Sequence, residues 1–551
     1  MKKRRLPTGI QNFRQIREEG YYYVDKTPYA LRLAEGAGKH YFLSRPRRFG
    51  KSLFVDTLKE LYEGSEPLFR GLAVHDAWDW SRRRAVVRLS FAGGNFKRPG
   101  ALLESARAQI EDLARRGGVD AGGGSAAVRF RRLIEGPHDR TGERVVVLVD
   151  EYDKPILDAR DDPRLPAGTP ETAPHDGHAQ ATANRDDLRG LYGTLKDCDA
   201  HVERTFLTGV SKFSKVSLFS DLNFLTDLTL DPRYAAVCGY TEADLDAIFA
   251  PELPGLDREQ IRAWYNGYNW HGAESVYNPW AILHLFQSRE FKAHWFETAT
   301  PRFLVDTLIE RGFSAPDLEG LHADDDLLSA LDVASVGTEA LLFQAGYLTI
   351  AAEEKLEGYA QYRLGYPNRE VRRGLNRGVL DALAPRWRSA GSGVALRRLL
   401  AAGDWTGLEA LFRTFLAAIP HDRHRRNEIA RYEGYWSSVF YAWFQASMDG
   451  VAVEDATSRG RLDMAVVLGD VACVFELKVT ERAARDTRSG TADGDAPASN
   501  GAATADHAAL AQLKARRYGD KYRARNRTVY LIGVEIGTES RDLTAFDVEP
   551  V

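Results

Sequence analysis

The residues best suited to chemistry lie near the C-terminus, where two acids and a lysine accompany two apolar runs. A Gly-Asp pair separates these runs, which predicts a β-hairpin over residues 461–478. Glu476 and Lys478 are two residues apart and therefore share one face of a strand. Asp463 begins the partner strand and can reach the same end. Two carboxylates can hold Mg²⁺ and the lysine can orient a water, which suits metal-assisted phosphodiester hydrolysis. The alternative is a surface salt bridge on an ordinary hairpin.

This hairpin resembles the core of the PD-(D/E)XK nuclease superfamily, in which the motif D…(D/E)xK lies on such a hairpin. The resemblance implies that Glu433, ahead of a predicted helix to about residue 448, is the acid that many members carry on the first helix. The resemblance also implies that Gln512 and Tyr518, on a predicted helix over 506–522, correspond to the glutamine and tyrosine of the Gln…Tyr helix in some members. The alternatives are a helix N-terminal acid for Glu433 and ordinary helix surface for Gln512 and Tyr518.

A phosphate-binding pattern lies at the other end of the chain. A predicted strand over 41–44 is followed by a basic loop, by Gly50-Lys51-Ser52 and by a predicted helix, which is the order that a P-loop needs. The loop amides and the helix N-terminus would cradle phosphate. Lys51 would reach the β- and γ-phosphates, and Ser52 would ligate Mg²⁺. Arg45 stands where the first glycine of such a loop is expected. The predicted nucleotide contacts are Arg45, Arg47, Arg48, Phe49, Gly50, Lys51 and Ser52.

Two acids complete the nucleotide site. Residues 144–149 are β-branched and apolar, as expected of a buried parallel strand, and Asp150-Glu151 follow directly. Asp150 would hold Mg²⁺ through water and Glu151 would activate the attacking water. The alternative is a helix N-cap, which acids also favour. Thr208, at the end of a later strand, is either a sensor of the γ-phosphate or a plain strand cap.

With these motifs in place, the chain resembles the AAA-ATPase-like family of bacterial proteins that carry a C-terminal PD-(D/E)XK domain. The resemblance extends from about residue 5 to 535 and implies a P-loop ATPase joined to a nuclease-like domain. In that family the loop usually carries an arginine where Arg45 stands. The segments that carry the resemblance are Gly9–Phe13, Tyr23–Thr27, Phe42–Ser52, Asp150–Pro155, Leu207–Phe213, Trp264–Tyr268, Tyr277–Pro279, Phe343–Leu348 and Tyr366–Asn368.

Net charge, cysteine spacing and the lengths of apolar runs limit the classes of protein to which this chain could belong. The 551 residues carry a formal net charge of −4, so any nucleic acid would have to bind local basic patches. The three cysteines show no paired spacing, which indicates a reducing compartment without a disulfide framework or zinc motif. The basic N-terminus lacks the apolar run of a secretory signal, and no segment approaches membrane-spanning length. We therefore expect a cytoplasmic protein with no membrane partner.

The predicted fold class is α/β: a P-loop parallel sheet with helices on both faces, a mostly helical middle region and a C-terminal α/β domain. The predicted domains are an ATPase domain over 1–239 and a helical lid over 240–367. An arginine-rich helical connector over 368–430 and a nuclease-like domain over 431–551 follow. Low-complexity composition predicts a flexible insertion at 161–187 and a disordered loop at 484–509.

Ten of the arginine and histidine residues in the connector form a set that could hold a nucleic-acid backbone. A solvated helix face interleaved with acids is the preferred interpretation. These residues are Arg369, Arg372, Arg373, Arg377, Arg386, Arg388, Arg423, His424, Arg425 and Arg426.

The sequence thus predicts an ATP- and Mg²⁺-dependent protein whose partner is nucleic acid, DNA in preference to RNA. Homo-oligomerisation is left open. Three alternatives remain at this point. The chain could be a nucleotide-driven switch whose C-terminal domain binds without cutting, a motor on nucleic acid with a vestigial nuclease, or an ATP-binding protein with negligible turnover.

Overall fold

The chain forms two compact units in the computed structural model. Unit 1 comprises residues 1–304 and 319–371, and unit 2 comprises residues 305–318 and 372–551. The structure describes residues 3–160, 177–212, 224–296, 304–305, 308–309, 318, 320–324, 328, 338–356, 359–384, 387, 389–419, 433–457, 460–480, 507–523, 528–538 and 540–551.

Helices and strands within the described residues are numbered here in chain order. The helices are α1 (Phe13–Glu18), α2 (Thr27–Glu35), α3 (Lys51–Tyr62), α4 (Ala101–Gly117), α5 (Ala126–Thr141), α6 (Lys154–Arg160), α7 (Gly177–Asp197), α8 (Glu242–Ile248), α9 (Arg258–Tyr265), α10 (Pro279–Ser288), α11 (Thr338–Ala345), α12 (Arg369–Leu383), α13 (Ser389–Ala402), α14 (Trp405–Ala417), α15 (Glu433–Ser447), α16 (Ala508–Arg516) and α17 (Asp520–Arg523). The strands are β1 (His40–Ser44), β2 (Val86–Ser90), β3 (Val145–Asp150), β4 (Val202–Gly209), β5 (Thr226–Asp227), β6 (His322–Ala323), β7 (Thr349–Leu356), β8 (Tyr359–Gly365), β9 (Val451–Thr457), β10 (Gly460–Leu468), β11 (Val471–Thr480), β12 (Thr528–Gly537) and β13 (Leu543–Pro550).

The centre of unit 1 is a parallel sheet with strand order β2-β3-β4-β1-β5. Strand β3 is buried along its whole length, as its run of valine and leucine requires of a strand covered on both faces. Asp150 pairs with Thr208, and Ser44 pairs with Gly209, so strands β1, β3 and β4 end at one edge. The predicted parallel α/β sheet is confirmed, and the loops that follow these strands leave the same edge.

The middle of unit 1 contains strands as well as the predicted helices. Helices α8, α9 and α10 pack in one apolar cluster with the N-terminal Tyr22. Strands β6, β7 and β8 form a small antiparallel sheet within the predicted helical region over 240–367. The sequence pattern missed this sheet because the pairing of β7 shifts between Ile350 and Ala352, which interrupts the alternation of buried and exposed residues.

The low-complexity insertion is shorter than the predicted 161–187. Helix α7 begins at Gly177, and Ala181 on its first turns is fully buried. The Asn184 side chain donates to the carbonyls of Phe96, at 3.0 Å, and Pro155, at 2.7 Å. Residues 177–187 are therefore an anchored helix, while 161–176 lie outside the described residues.

Unit 2 contains a mixed sheet with strand order β13-β12-β11-β10-β9. Strands β11 and β12 are parallel, and the other neighbours are antiparallel. Helices α13, α14 and α15 cover one face with a large aromatic core, and α16 covers the opposite face. The predicted C-terminal α/β domain is confirmed. Of the predicted loop over 484–509, residues 484–506 lie outside the described part, and α16 begins at Ala508.

Candidate nucleotide and metal sites

The loop between β1 and α3 has the backbone shape of a phosphate-binding loop. Gly50 precedes the first turn of α3 with a φ of 95°, a conformation that is favourable only for glycine. No side chain caps the first amides of α3. These amides, with Lys51 and Ser52, adjoin a cavity of about 440 Å³. A helix N-terminus without a side-chain cap, next to a cavity of this size, suits an anionic ligand.

Lys51 is held close to the loop that it follows. Its side chain is buried, and Nζ donates to the carbonyl oxygens of Arg45, at 2.9 Å, and Pro46, at 3.0 Å. The ammonium group therefore lies at the floor of the cavity before any ligand binds. Both carbonyl acceptors are neutral, so they do not cancel the positive charge of Lys51. That charge can therefore interact with the negative charge of a phosphate group.

The two acids at the end of β3, Asp150 and Glu151, lie close to Lys51 and Ser52 of the phosphate-binding loop. The Ser52 hydroxyl lies near the Asp150 carboxyl group, and burial raises the pKa of Asp150 against the opposing effects of this hydroxyl and of the nearby Lys51 charge. Asp150 Oδ1 is buried and has no hydrogen-bond partner among the described residues. A serine hydroxyl beside a carboxylate with an unused oxygen fits a hydrated Mg²⁺ ion bound to nucleotide phosphates.

Glu151 lines the cavity in a strained backbone conformation. Its φ is 53°, in the left-handed region that residues other than glycine rarely adopt. The following residue, Tyr152, donates its amide to the Thr208 carbonyl at 3.1 Å, which fixes the turn. The turn that carries Glu151 is therefore held in this conformation at the cavity that Glu151 lines.

Arg45 does not face the cavity, contrary to its predicted role as a nucleotide contact. Its guanidinium group is fully buried and donates to the carbonyls of Ser44, Thr229 and Tyr234. It also lies 4.4 Å from the centre of the Trp270 ring. Burial lowers the pKa of Arg45 to about 10. Arg45 stands where a phosphate-binding loop is expected to have its first glycine, and its buried side chain stabilises the loop through these contacts.

Thr208 likewise has a structural partner. Its side chain is fully buried, and Oγ1 donates to the Leu43 carbonyl at 2.8 Å. This bond ties the end of β4 to β1, which agrees with the strand-cap alternative. The geometry gives no support to the γ-phosphate sensor.

The remaining loop residues pack against the middle of unit 1. Phe49 is buried between the rings of Tyr268 and Trp270, with centroid distances of 4.7 and 5.2 Å. The Arg48 guanidinium group lies 4.3 Å from the centre of the Trp280 ring, and both residues line the cavity. The Arg47 carbonyl accepts a hydrogen bond from Trp295 Nε1 at 2.9 Å. Aromatic residues in and next to the segments Trp264–Tyr268 and Tyr277–Pro279 thus support the loop.

The N-terminus and α10 also contribute to the lining of the cavity. Gly9, Ile10 and Gln11 line it together with Trp280 and Leu283. The N-terminal segment is tied to α3, because the Phe13 amide donates to Asp56 Oδ2 at 2.7 Å. The lining therefore combines cationic groups and loop amides with apolar side chains, as a nucleoside phosphate requires.

The unit 2 candidate site lies on the sheet face that α16 covers. The hairpin is confirmed: Met464 pairs with Phe475, and β10 and β11 run antiparallel to Leu468 and Val471. Ala465 and Val474 belong to the apolar cluster beneath α16. Because side chains alternate along a strand, Asp463, Glu476 and Lys478 project to that same face.

The three charged groups are near one another. Asp463 and Glu476 lie one residue beyond the Met464–Phe475 pair on their respective strands, where cross-strand neighbours are close. Lys478 Nζ lies 3.3 Å from Glu476 Oε1, and Asp463 Oδ2 accepts the Leu477 amide at 2.7 Å. Glu476 is only 2% exposed. Two carboxylates beside an ammonium group are a suitable donor set for a hard divalent cation.

Helix α16 adds a neutral partner to this group. Gln512 Nε2 donates to Glu476 Oε1. The helix can approach this closely because Gly533 of β12, paired with Glu476, has no side chain; a Cβ there would lie 2.7 Å from the Leu510 amide nitrogen. Gln512, for which ordinary helix surface had been the favoured interpretation, is therefore part of the site.

Tyr518 is close enough to the charged groups to respond to them. Burial raises the pKa of Tyr518, the charges of Glu476 and Asp463 raise it further, and Lys478 lowers it. The side chain is also buried in the apolar cluster beneath α16. Tyr518 thus closes one side of the site while it packs in the core.

Two further predictions concern Glu433 and the arginine-rich connector. Glu433 is the first residue of α15, and its side chain lies outside the described part, so its catalytic role stays a prediction. Arg373 pairs with Asp449 at 3.4 Å, and Arg377 approaches Asp381 at 4.0 Å. Such pairs agree with a solvated, acid-balanced helix face. Arg386, Arg388 and residues 423–426 lie outside the described part.

Comparison with known proteins finds one family match in the N-terminal part of the chain and another in the C-terminal part. Residues 7–219 match a family model described as a predicted AAA-ATPase, and residues 431–545 match the PD-(D/E)XK nuclease superfamily. A protein of Azotobacter chroococcum mcd 1, described as an uncharacterized protein in the vnfD 5' region, is 52% identical over 555 residues, covering 100% of this chain and 99% of that protein.

The chain belongs to this AAA-ATPase-like family. The resemblance inferred from the motifs is thereby confirmed, and the two matched domains indicate ATPase and nuclease-type chemistry. Among the described residues, no helix of this family member combines the length and apolar character needed to cross a membrane.

Proposed function

We propose that unit 1 binds and hydrolyses ATP and that unit 2 hydrolyses phosphodiester bonds in nucleic acid with Mg²⁺. The observation that carries the first half is the convergence of Lys51, Ser52 and Glu151 on one cavity of about 440 Å³, with Asp150 next to Ser52 and Lys51. Lys51 would bind the β- and γ-phosphates, Ser52 and Asp150 would hold the metal, and Glu151 would accept a proton from the attacking water. The bound cation would neutralise charge that develops on the phosphates.

Substitution of Glu151 by glutamine tests the roles within this site. The variant keeps the loop and the cationic floor, so it should bind ATP as wild type does. Turnover should fall by about 10²–10⁴-fold, because only proton transfer from water is lost. Equal turnover in both proteins would place the general base elsewhere.

The second half of the proposal rests on the shared face of Asp463, Glu476 and Lys478. The two carboxylates would hold one Mg²⁺, and the Lys478 ammonium would orient the water beside it. Gln512 would keep the Glu476 carboxylate aligned. The expected substrate is DNA in preference to RNA, and the setting is the bacterial cytoplasm.

Incubation of the purified full chain with plasmid, single-stranded DNA and RNA tests this activity, with Mg²⁺ or with EDTA. We expect cleavage in Mg²⁺ that EDTA abolishes. Binding to DNA without cleavage in any divalent metal would favour the alternative of a nucleotide-driven switch or motor whose C-terminal domain binds but does not cut.

A further inference from the structure

Two histidines and an aspartate form a cluster in unit 1 at the end of the sheet opposite to the phosphate loop. His138 and Asp139 belong to the last turn of α5, and His201 ends the short turn that leads into β4. One potential ligand atom from each of the three lies within 4.8 Å of the others. Strand β4 starts at Val202 and the phosphate loop follows the end of the parallel strand β1, so the cluster is separate from the nucleotide site.

One ring nitrogen of each histidine in this cluster has no hydrogen-bond partner in the part of the chain that the structure describes. Nδ1 of His138 and Nδ1 of His201 are both buried, and neither has a hydrogen-bond partner among the described residues. The rings lie edge to face with their centroids 4.8 Å apart. Asp139 Oδ1 is 3.9 Å from His138 Nδ1, beyond hydrogen-bond distance. Two buried nitrogens without partners are costly, and a neutral imidazole nitrogen with a free lone pair is a metal ligand.

The surroundings favour a positive ion. Helix α5 ends at Gly142, which has a φ of 70°, and the carbonyl end of a helix carries partial negative charge. Glu135, one turn before His138, adds a carboxylate nearby and lies 4.0 Å from Cys198 Sγ. Burial raises the pKa of Cys198 to about 11, so this thiol stays protonated and is not counted as a ligand.

We propose that His138, Asp139 and His201 bind a divalent transition-metal ion of the zinc class. Two imidazoles and one carboxylate suit Zn²⁺ better than Mg²⁺, and a water would complete a tetrahedron. With ligand bonds near 2.0–2.1 Å, ligand atoms in such a site are about 3.3 Å apart. The ligand atoms must therefore approach one another by up to about 1.5 Å on metal binding, through rotation of the three side chains, of which that of Asp139 is 70% exposed. The ion would join the end of α5 to the turn before β4.

Calorimetric titration of the full chain with ZnCl₂ tests this site. The protein should carry no polyhistidine tag, and excess Mg²⁺ should occupy the oxygen-rich sites. Binding of one zinc equivalent is expected in wild type. His138→Gln, His201→Gln and Asp139→Asn should each weaken it, the histidine variants by at least about a hundredfold, since even the outer-shell partners of metal ligands are worth about 10–100-fold.

His75→Gln is the matched control, because His75 also has acidic neighbours but both of its ring nitrogens already bond Glu66 and Asp76. This variant should bind zinc as wild type does. A Co²⁺ spectrum with tetrahedral ligand-field bands that disappears in His201→Gln would add support. Zinc binding that is unchanged in all three cluster variants, or absent from wild type, would overturn the proposal. Asp139→Asn guards against misfolding, because its side chain is 70% exposed.

Discussion

Replacing Lys51 by alanine should abolish most ATP hydrolysis and weaken ATP binding. The ammonium group is buried beside the cavity, where it donates to the carbonyls of Arg45 and Pro46. At an effective dielectric constant of about 20, unit charges about 4 Å apart interact by about 4 kcal/mol. Loss of that interaction with the phosphates corresponds to a fall in kcat/KM of about a thousandfold.

Steady-state phosphate release in excess Mg²⁺ measures this effect, with ATP binding measured in parallel. Lys59→Ala is the matched control: it lies on the same helix but pairs with Glu60 and Glu63, so it should keep wild-type turnover. A thermal unfolding transition near that of wild type would show that Lys51→Ala is folded. Wild-type ATP hydrolysis by a folded Lys51→Ala protein would refute the assignment of the phosphate loop.

Three further predictions concern the second site, the loop support and the insertion. Asp463→Ala and Lys478→Ala should each eliminate Mg²⁺-dependent cleavage and leave ATP turnover intact. Metal affinity should fall mainly in Asp463→Ala, because only that variant loses a metal ligand. A cleavage assay and a metal titration check these two expectations. Arg45→Met should lower the free energy of unfolding by about 2–4 kcal/mol, since it removes a buried guanidinium group that donates to three carbonyls. Urea denaturation would show no change if the guanidinium group were dispensable. Deletion of residues 164–174 should leave the temperature of thermal unfolding nearly unchanged. Deletion of residues 164–183 should lower that temperature, because it removes the buried Ala181. Equal unfolding temperatures for the two deletion variants would contradict the anchoring of α7.

The features that could be predicted correctly from the sequence are those encoded by short local patterns of residue types. The buried run before Asp150 indicated a parallel strand, and the Gly-Asp pair between two apolar runs indicated the hairpin that carries Asp463 and Glu476. Gly50-Lys51-Ser52 indicated a loop and helix start, because few other arrangements place glycine there. These features depend on neighbours in the chain, so the pattern of residue types was sufficient.

The features that were missed depend on distant contacts. Nothing near Arg45 shows that its partners are the Thr229 and Tyr234 carbonyls and the Trp270 ring, so a loop arginine was interpreted as a phosphate ligand. Gln512 was undervalued for the same reason: its contact with Glu476 depends on Gly533, which a motif search does not connect to either residue.

One experiment tests the central claim, that a nucleotide-binding unit is coupled to a nuclease, most directly. A linear DNA is incubated in Mg²⁺ with wild type, Asp463→Ala or Lys51→Ala, each with and without ATP, and the cleavage rate is compared with the rate of phosphate release. We expect wild type to cleave at a rate that changes with ATP, Asp463→Ala to release phosphate without cleavage, and Lys51→Ala to give one cleavage rate whether or not ATP is present. Cleavage by Asp463→Ala at the wild-type rate, or a wild-type protein that never cuts, would contradict the account.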